Sequence, residues 1–386
     1  MAVLTDEQRM IQETAREFAM REVLPVANEL DPVQGDIPLS LRDKMADMGY
    51  FGILMPEEYG GLGLGCFEYC LVVEELSRAW MSVASIIARG NGMIGWQQMS
   101  SAQKSLYLPK IAKGEFLGAF AMSEPGTGSD ISSLSTRAEK DGDSYLITGN
   151  KYWCTFADGA DYLMVMARTS PVDPLRKHAG MSMFIVPKKR GELPQGVQGS
   201  PIPKIGYFGW KTWELAFDRC RVPAENLIGE EGKAFYYATS GLEVPRAHTA
   251  ARAVGLARAA LEDAIAYAKE RVQFGQPIAE FQAIRFKIGQ MAADIEASRQ
   301  LMYHVCECID GGRRCDLEAS MVKLMATEMS ERVTSEGLQI LGGAGYTKHH
   351  AMERHWRDAR LTKIFEGTSE IQLRIISDHL LGKVKK

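Results

Sequence analysis

The order of periodicities along this chain constrains its fold most: one β-patterned stretch lies between two helix-patterned stretches. Residues 1–113 read as helices. Thr5 and Gln8, three apart, form a capping box that opens a long helix. Pro25 should kink or end that helix. Residues 39–48, 66–78 and 81–98 return to helical spacing around a turn-rich break, GILMPEEYGGLGLG (52–65). Residues 114–232 change period. SYLITG, DYLMVMAR, MSMFIVP and TWELAFDRCRVP predict strands, and their spacing suggests a small barrel or sandwich. The polar run 169–180 reads as a loop, and 191–209, with three prolines, as irregular. Residues 233–386 are helical again, with long helices over 246–270, 277–310 and 316–341, the last ended by Gly342, Gly343 and Gly345. Neighbouring long helices argue for a bundle. The expected fold is mainly α with a middle β domain.

Composition narrows the function. The 386 residues suggest two to three domains at roughly 150 residues each. Lys+Arg 45 against Asp+Glu 49 leaves a net charge of −4, which speaks against a nucleic-acid-binding surface. No apolar run is long enough for a transmembrane helix. MAVLTDEQRM lacks the pattern of a secretory signal, and LLGKVKK matches no lipidation motif. Seven scattered cysteines fit reduced cytoplasmic thiols. Cys306, Cys308 and Cys315 lack metal-ligand spacing and read as structural thiols, so no metal is expected. His349, His350 and His355, with Glu353, read as a polar or interfacial face.

Five segments could carry chemistry. AFAMSEPGTGSD (119–130) is a glycine-rich turn whose N–H groups can face an anion, or an ordinary surface loop. KYWCTFADGAD (151–161) offers Trp153, able to cover a flat cofactor or simply to pack in the core. In ERVQFGQPIAEFQAIRF (270–286), Arg271 and Phe274 stand three apart, as on one face of a helix end. QILGGAGY (339–346) is a second glycine-rich helix end. In RDARLTKIFEGTSEIQ (357–372), Glu366 precedes Gly367, which tolerates positive φ. Thr368 can then cap the terminal helix, with Glu370 in its first turn.

In this order and spacing, the five segments resemble the acyl-CoA dehydrogenase family over essentially the whole chain, from LTDEQRMIQETAREF to IFEGTSEIQ. The resemblance implies an N-terminal helical domain (1–113), a middle β-barrel domain (114–232) and a C-terminal four-helix bundle (233–386). It also implies non-covalent FAD, a homotetramer in which each flavin touches a neighbouring subunit, and an electron-transfer flavoprotein as partner. By the same resemblance, Phe120, Met122, Ser123, Gly128 and Ser129 form the flavin loop, with Ser129 also beside the acyl-CoA. Trp153 and Thr155 line the flavin's other face. Arg271, Phe274 and Gln282 hold the adenine and pyrophosphate end of a flavin across a subunit interface, and Gln339, Gly342 and Gly343 complete that site. Thr368 and Glu370 flank the flavin. Glu243, Arg246 and Gly367 stand on the substrate side.

Glu366 matches the catalytic base. The implied reaction removes the α-proton of an acyl thioester and passes the β-hydrogen as hydride to the flavin, giving the trans-2-enoyl-CoA. Some subfamilies place the base just before Arg246 instead. That position is Pro245 here, and Glu243 lies two residues away, so the base falls to Glu366. Its carboxyl should gain pKa toward the operating pH once substrate desolvates it.

A relative acting on a carrier-protein thioester, or in the reductive direction, is the near alternative. A nucleic-acid-binding relative would carry an added basic C-terminal domain, and an inert scaffold would not need Glu366. The aromatic, proline-rich run 191–213 suggests a short, branched or cyclic acyl group. Arg89 reads either as a solvated helix arginine or as a receptor for a substrate carboxylate.

Overall fold

The computed structural model describes residues 4–384, so the two terminal readings rest partly on residues outside that range. Helices α1 (Asp6–Phe18), α2 (Leu24–Leu30), α3 (Leu39–Asp47), α4 (Cys66–Ala79), α5 (Met81–Ile86), α6 (Ala88–Asn91) and α7 (Ser101–Ala112) come first. The Thr5–Gln8 capping box opens α1 as expected. Pro25 does not stop the helix. A π-type turn, Ala19–Val23, precedes α2, so the ring falls in the first turn of a fresh α-helical register, where its missing N–H costs little. The expected helix over 81–98 is broken into α5, α6 and a short 3-10 turn after Gly95, whose φ is 78°.

The middle of the chain forms a curled seven-stranded sheet. Its strands are β1 (Gly118–Ala121), β2 (Arg137–Asp141), β3 (Ser144–Thr155), β4 (Tyr162–Arg168), β5 (Met181–Pro187), β6 (Val197–Pro201) and β7 (Thr212–Pro223). The order is β1-β4-β2-β3-β7-β6, with β5 also on β4. All four expected strands are present. Strands β1, β2 and β6 are additional, and β6 lies inside the run expected to be irregular. β4 is buried along its whole length, which is why it reads as a continuous apolar run.

The last part holds α8 (Ala234–Thr239), α9 (Glu243–Glu270), α10 (Gln282–Asp310), α11 (Asp316–Leu341), α12 (Met352–Thr362) and α13 (Ser369–Leu381). Helix α9 lies at the centre, against α11, α10, α12 and α4. Its alanines and Gly255 allow close approach: a β-carbon on Gly255 would stand 2.4 Å from the Glu74 carbonyl oxygen on α4. Arg258 of α9 and Arg299 of α10 meet Glu74 there, each at 3.0 Å, and Arg258 also binds Glu75. These buried ions pin the first helical layer to the bundle.

The helix-face reading of Arg271 and Phe274 is overturned. Helix α9 ends at Glu270, and a two-stranded hairpin follows, β8 (Val272–Gln273) with β9 (Gln276–Pro277). Phe274 and Gly275 form its two-residue turn, both with positive φ (50° and 82°). The thiols also group differently from the three considered: Cys66 lies 4.0 Å from Cys70 and 3.9 Å from Cys306, all buried and unpaired.

Candidate active site

Glu366 sits between α12 and α13 on a loop with positive φ at two successive residues, 53° at Glu366 and 89° at Gly367. Only the second is a glycine, so Glu366 itself carries backbone strain of the kind that must be held from outside. It is held. Its carboxylate accepts from Arg252 Nη2 at 2.7 Å and from the Thr249 hydroxyl, both on α9. Lys323 of α11 donates to the Gly367 carbonyl at 2.6 Å, and Gln372 of α13 to the same oxygen at 3.1 Å. Thr368 caps α13 by accepting from the Ile371 N–H.

The Glu366 side chain lies deep among protein atoms, yet 35% of its surface stays accessible. Desolvation pushes its carboxyl up. The Arg252 charge and the hydrogen bonds from Thr249 and Arg252 outweigh that and hold it below the usual carboxylate range. It is therefore ionised at neutral pH. Neighbouring His248 is stacked on Tyr69 (5.2 Å between centroids), and burial, with Arg252, pushes it down to about 3, so it stays neutral. Burial lowers Lys323 to about 8 against the pull of Glu366. Glu243, in the first turn of α9, keeps company with buried Arg246 and with Arg314 and Asp316 at the start of α11.

The glycine-rich turn hangs from the end of β1. Glu124 and Lys151 pair beneath it at 3.0 Å, both buried, and Lys151 Nζ also donates to the Met122 carbonyl. Ser135 and Thr136 N–H groups donate to Glu124, and desolvation is overcome so that its carboxyl falls to about 2. The turn is thus anchored from behind while Ser129, Gly126 and Gly128 stay open, with nothing within 4 Å of a β-carbon on either glycine. Phe120, Met122 and Ser123 keep partial exposure.

Trp153 is not core. Between Lys151↔Leu215 and Cys154↔Trp213 strand β3 holds one residue more than β7. This bulge puts Trp153 at φ 61° and turns it outward, 57% exposed. Thr155 follows, bonded to the Thr212 hydroxyl. An open turn anchored from behind, beside an exposed flat ring, fits a flavin.

A second set of expected residues lies at the surface. Phe274 is 94% exposed, and Arg271, Gln282, Gln339, Gly342 and Gly343 are exposed as well. Within one chain they face outward.

Four important residues escaped the sequence reading: Arg252, Thr249, Lys323 and the Glu124–Lys151 pair's lysine. Arg252 had a signal, an arginine in the alanine run TAARAVG, where a charge on a buried helix needs a partner.

Models described as the N-terminal, middle and C-terminal domains of acyl-CoA dehydrogenase match residues 5–115, 119–220 and 232–381. An acyl-CoA dehydrogenase of Bacillus subtilis (strain 168) is 41% identical, covering 98% of this chain and 99% of its own length. The cyclohex-1-ene-1-carbonyl-CoA dehydrogenase of Syntrophus aciditrophicus (strain SB) is 39% identical, covering 99% of this chain and 91% of its own. The structure of butyryl-CoA dehydrogenase from Megasphaera elsdenii superposes with a TM-score of 0.92 at 36% identity, covering 99% of this chain and 100% of that one. This chain belongs to the acyl-CoA dehydrogenase family and is an FAD-dependent oxidoreductase.

Proposed function

We propose that this protein removes the α-proton of an acyl-CoA thioester with Glu366, yielding the trans-2-enoyl-CoA. The observation that carries this reading is the Arg252–Glu366 contact, which keeps an interior carboxylate ionised and aimed. Thr249 fixes the second oxygen. The Glu366 backbone N–H donates to no acceptor among the described residues, so it is free to polarise the thioester carbonyl and acidify the α-carbon. FAD, held by Phe120, Met122, Ser123, Gly128, Ser129, Trp153, Thr155, Thr368 and Glu370, supplies the acceptor for the β-hydride. Substrate entering the cleft displaces water from Glu366 and lifts its pKa toward the operating pH. Glu243, Arg246 and Gly367 complete the substrate side.

Exposed Arg271, Phe274, Gln282, Gln339, Gly342 and Gly343 support a homotetramer in which they grip a neighbour's flavin. The physiological oxidant in this reading is an electron-transfer flavoprotein, and seven unpaired thiols favour the cytoplasm. We set the domain limits at 1–113, 114–232 and 233–386, just outside β1 and α8.

Glu366→Gln tests the base. The variant should bind FAD normally yet lose turnover by about 10³-fold or more; wild-type-like turnover would end the assignment. Titrating flavin absorbance with CoA and carrier-protein thioesters separates the two thioester classes.

A further inference from the structure

Arg89 on α6 is a half-buried cation with few polar partners. Its guanidinium lies between two rings, 5.4 Å from the Phe120 centroid and 5.7 Å from that of Trp210. Its one hydrogen bond is long, Nη2 to the Thr155 carbonyl at 3.5 Å. Its Nε is closed to solvent and donates to nothing, as does Trp210 Nε1 in the ring beside it. No carboxylate lies within 4.0 Å among the described residues. Burial weakens its hold on its proton, and Glu366, one of the acids that offset this, is already engaged by Arg252.

Two more deeply buried arginines, Arg168 and Arg258, show what a structural role looks like here. Arg168 donates to four carbonyls, those of Ser132, Leu134, Lys177 and Ala179. Arg258 has the carboxylates of Glu74 and Glu75. Arg89 has neither, and a half-buried cation whose Nε is sealed from solvent without an acceptor carries a desolvation cost. Its position is also distinctive. Phe120 belongs to the flavin loop and Thr155 to the flavin's other face. A run of ring contacts, Trp210 to Tyr207 at 5.1 Å and Tyr207 to Phe365 at 5.9 Å, leads from Arg89 to the residue before Glu366.

We propose that Arg89, with Trp210 Nε1, receives a carboxylate carried by the acyl group, so that the preferred substrate is the CoA monothioester of a dicarboxylic acid. This deepens the dehydrogenase reading and rests on it. In this reading the thioester end lies at Glu366, and the second carboxylate lies beside Arg89 at the far end of the ring row Phe365–Tyr207–Trp210. Arg89's planar fork suits two carboxylate oxygens.

The test uses the holoenzyme and an artificial electron acceptor. Three thioesters of equal chain length are compared: one ending in a carboxylate, its neutral methyl ester, and one ending in a methyl group. The wild type should favour the carboxylate in kcat/KM by about 100-fold. Arg89→Met should collapse that ratio, and Arg89→Lys should restore part of it. Calorimetric binding of a non-oxidisable 3-thia dicarboxylyl-CoA should weaken in parallel, with bound FAD absorbance reporting an intact fold. A wild type that prefers the methyl-ended thioester, or an Arg89→Met variant with an unchanged ratio, overturns the assignment. If methyl-ended thioesters react and dicarboxylic ones do not, only Arg89's role falls. If no thioester of any kind bleaches the flavin, the dehydrogenase reading falls with it.

Discussion

The base loop and the hairpin surface are both expected parts of one active site, yet they are built in opposite ways. Around Glu366 every strained feature has a partner: Arg252 and Thr249 on the carboxylate, Lys323 and Gln372 on the next carbonyl. Around Phe274 the strained turn is bare, with the ring 94% exposed. A closed constellation sets a pKa and an orientation before substrate arrives. An open one gains its energy only on meeting another surface. The difference teaches that the preorganised carboxylate is housed within one chain, while the proposed grip on a cofactor's far end would have to come from assembly.

Breaking the closed half should have the largest effect. Arg252→Met leaves the Glu366 carboxylate without its cation, which should lower kcat/KM by about 100-fold or more. Because Arg252 holds the Glu366 pKa down, its loss raises that pKa, and the acid limb of the pH–rate profile should move to higher pH. An unmoved limb would show that Arg252 does not set the base.

His248 gives the closed half a pH signature. Unfolded histidine titrates near 6.5 and buried His248 near 3. Between these values the unfolded chain binds a proton that the folded chain refuses. Stability should therefore fall as pH drops through that window, by about 1.4 kcal/mol per unit from this group. Denaturant titrations of His248→Gln should show a shallower pH slope than the wild type.

Gly367→Ala, at φ 89°, should cost about 1–2 kcal/mol, measured as a lowered denaturation midpoint. The open half should respond least in the isolated chain. Phe274→Ala should change subunit stability by less than about 0.5 kcal/mol. It should still speed FAD release on dilution if a neighbour's flavin rests there. An unchanged release rate would remove Phe274 from the cofactor site and sharpen the contrast to a single closed half.

Particular residues show where the sequence was legible. Strand β4 is an unbroken apolar run because it is buried on both faces, and it was found. Strands β2 and β6 are five residues long and mostly exposed, so RAEKD and VQGSP carry no apolar alternation. Arg271 and Phe274 matched helical spacing because spacing alone does not reveal a hairpin turn; Gly275 and Pro277 were the local sign. Trp153 was read as core or cofactor cover. One extra residue in β3 decided for exposure, and a bulge depends on the partner strand's length, which no local pattern contains.

The sequence by itself determined the three-part order and most long elements, because hydrophobic period, caps and glycine positions are properties of neighbouring residues; the candidate base followed only from the resemblance of the ordered motifs to a known family. Tertiary structure alone decided what surrounds that base. Arg252 and Glu366 are 114 residues apart, and Arg89 reaches Thr155 across 66. A pKa depends on which charges share a low-dielectric space, and whether an arginine is solvated, paired or left waiting for a ligand depends on which surfaces close over it. Those are consequences of packing, set only when the helices of both ends come together around the sheet.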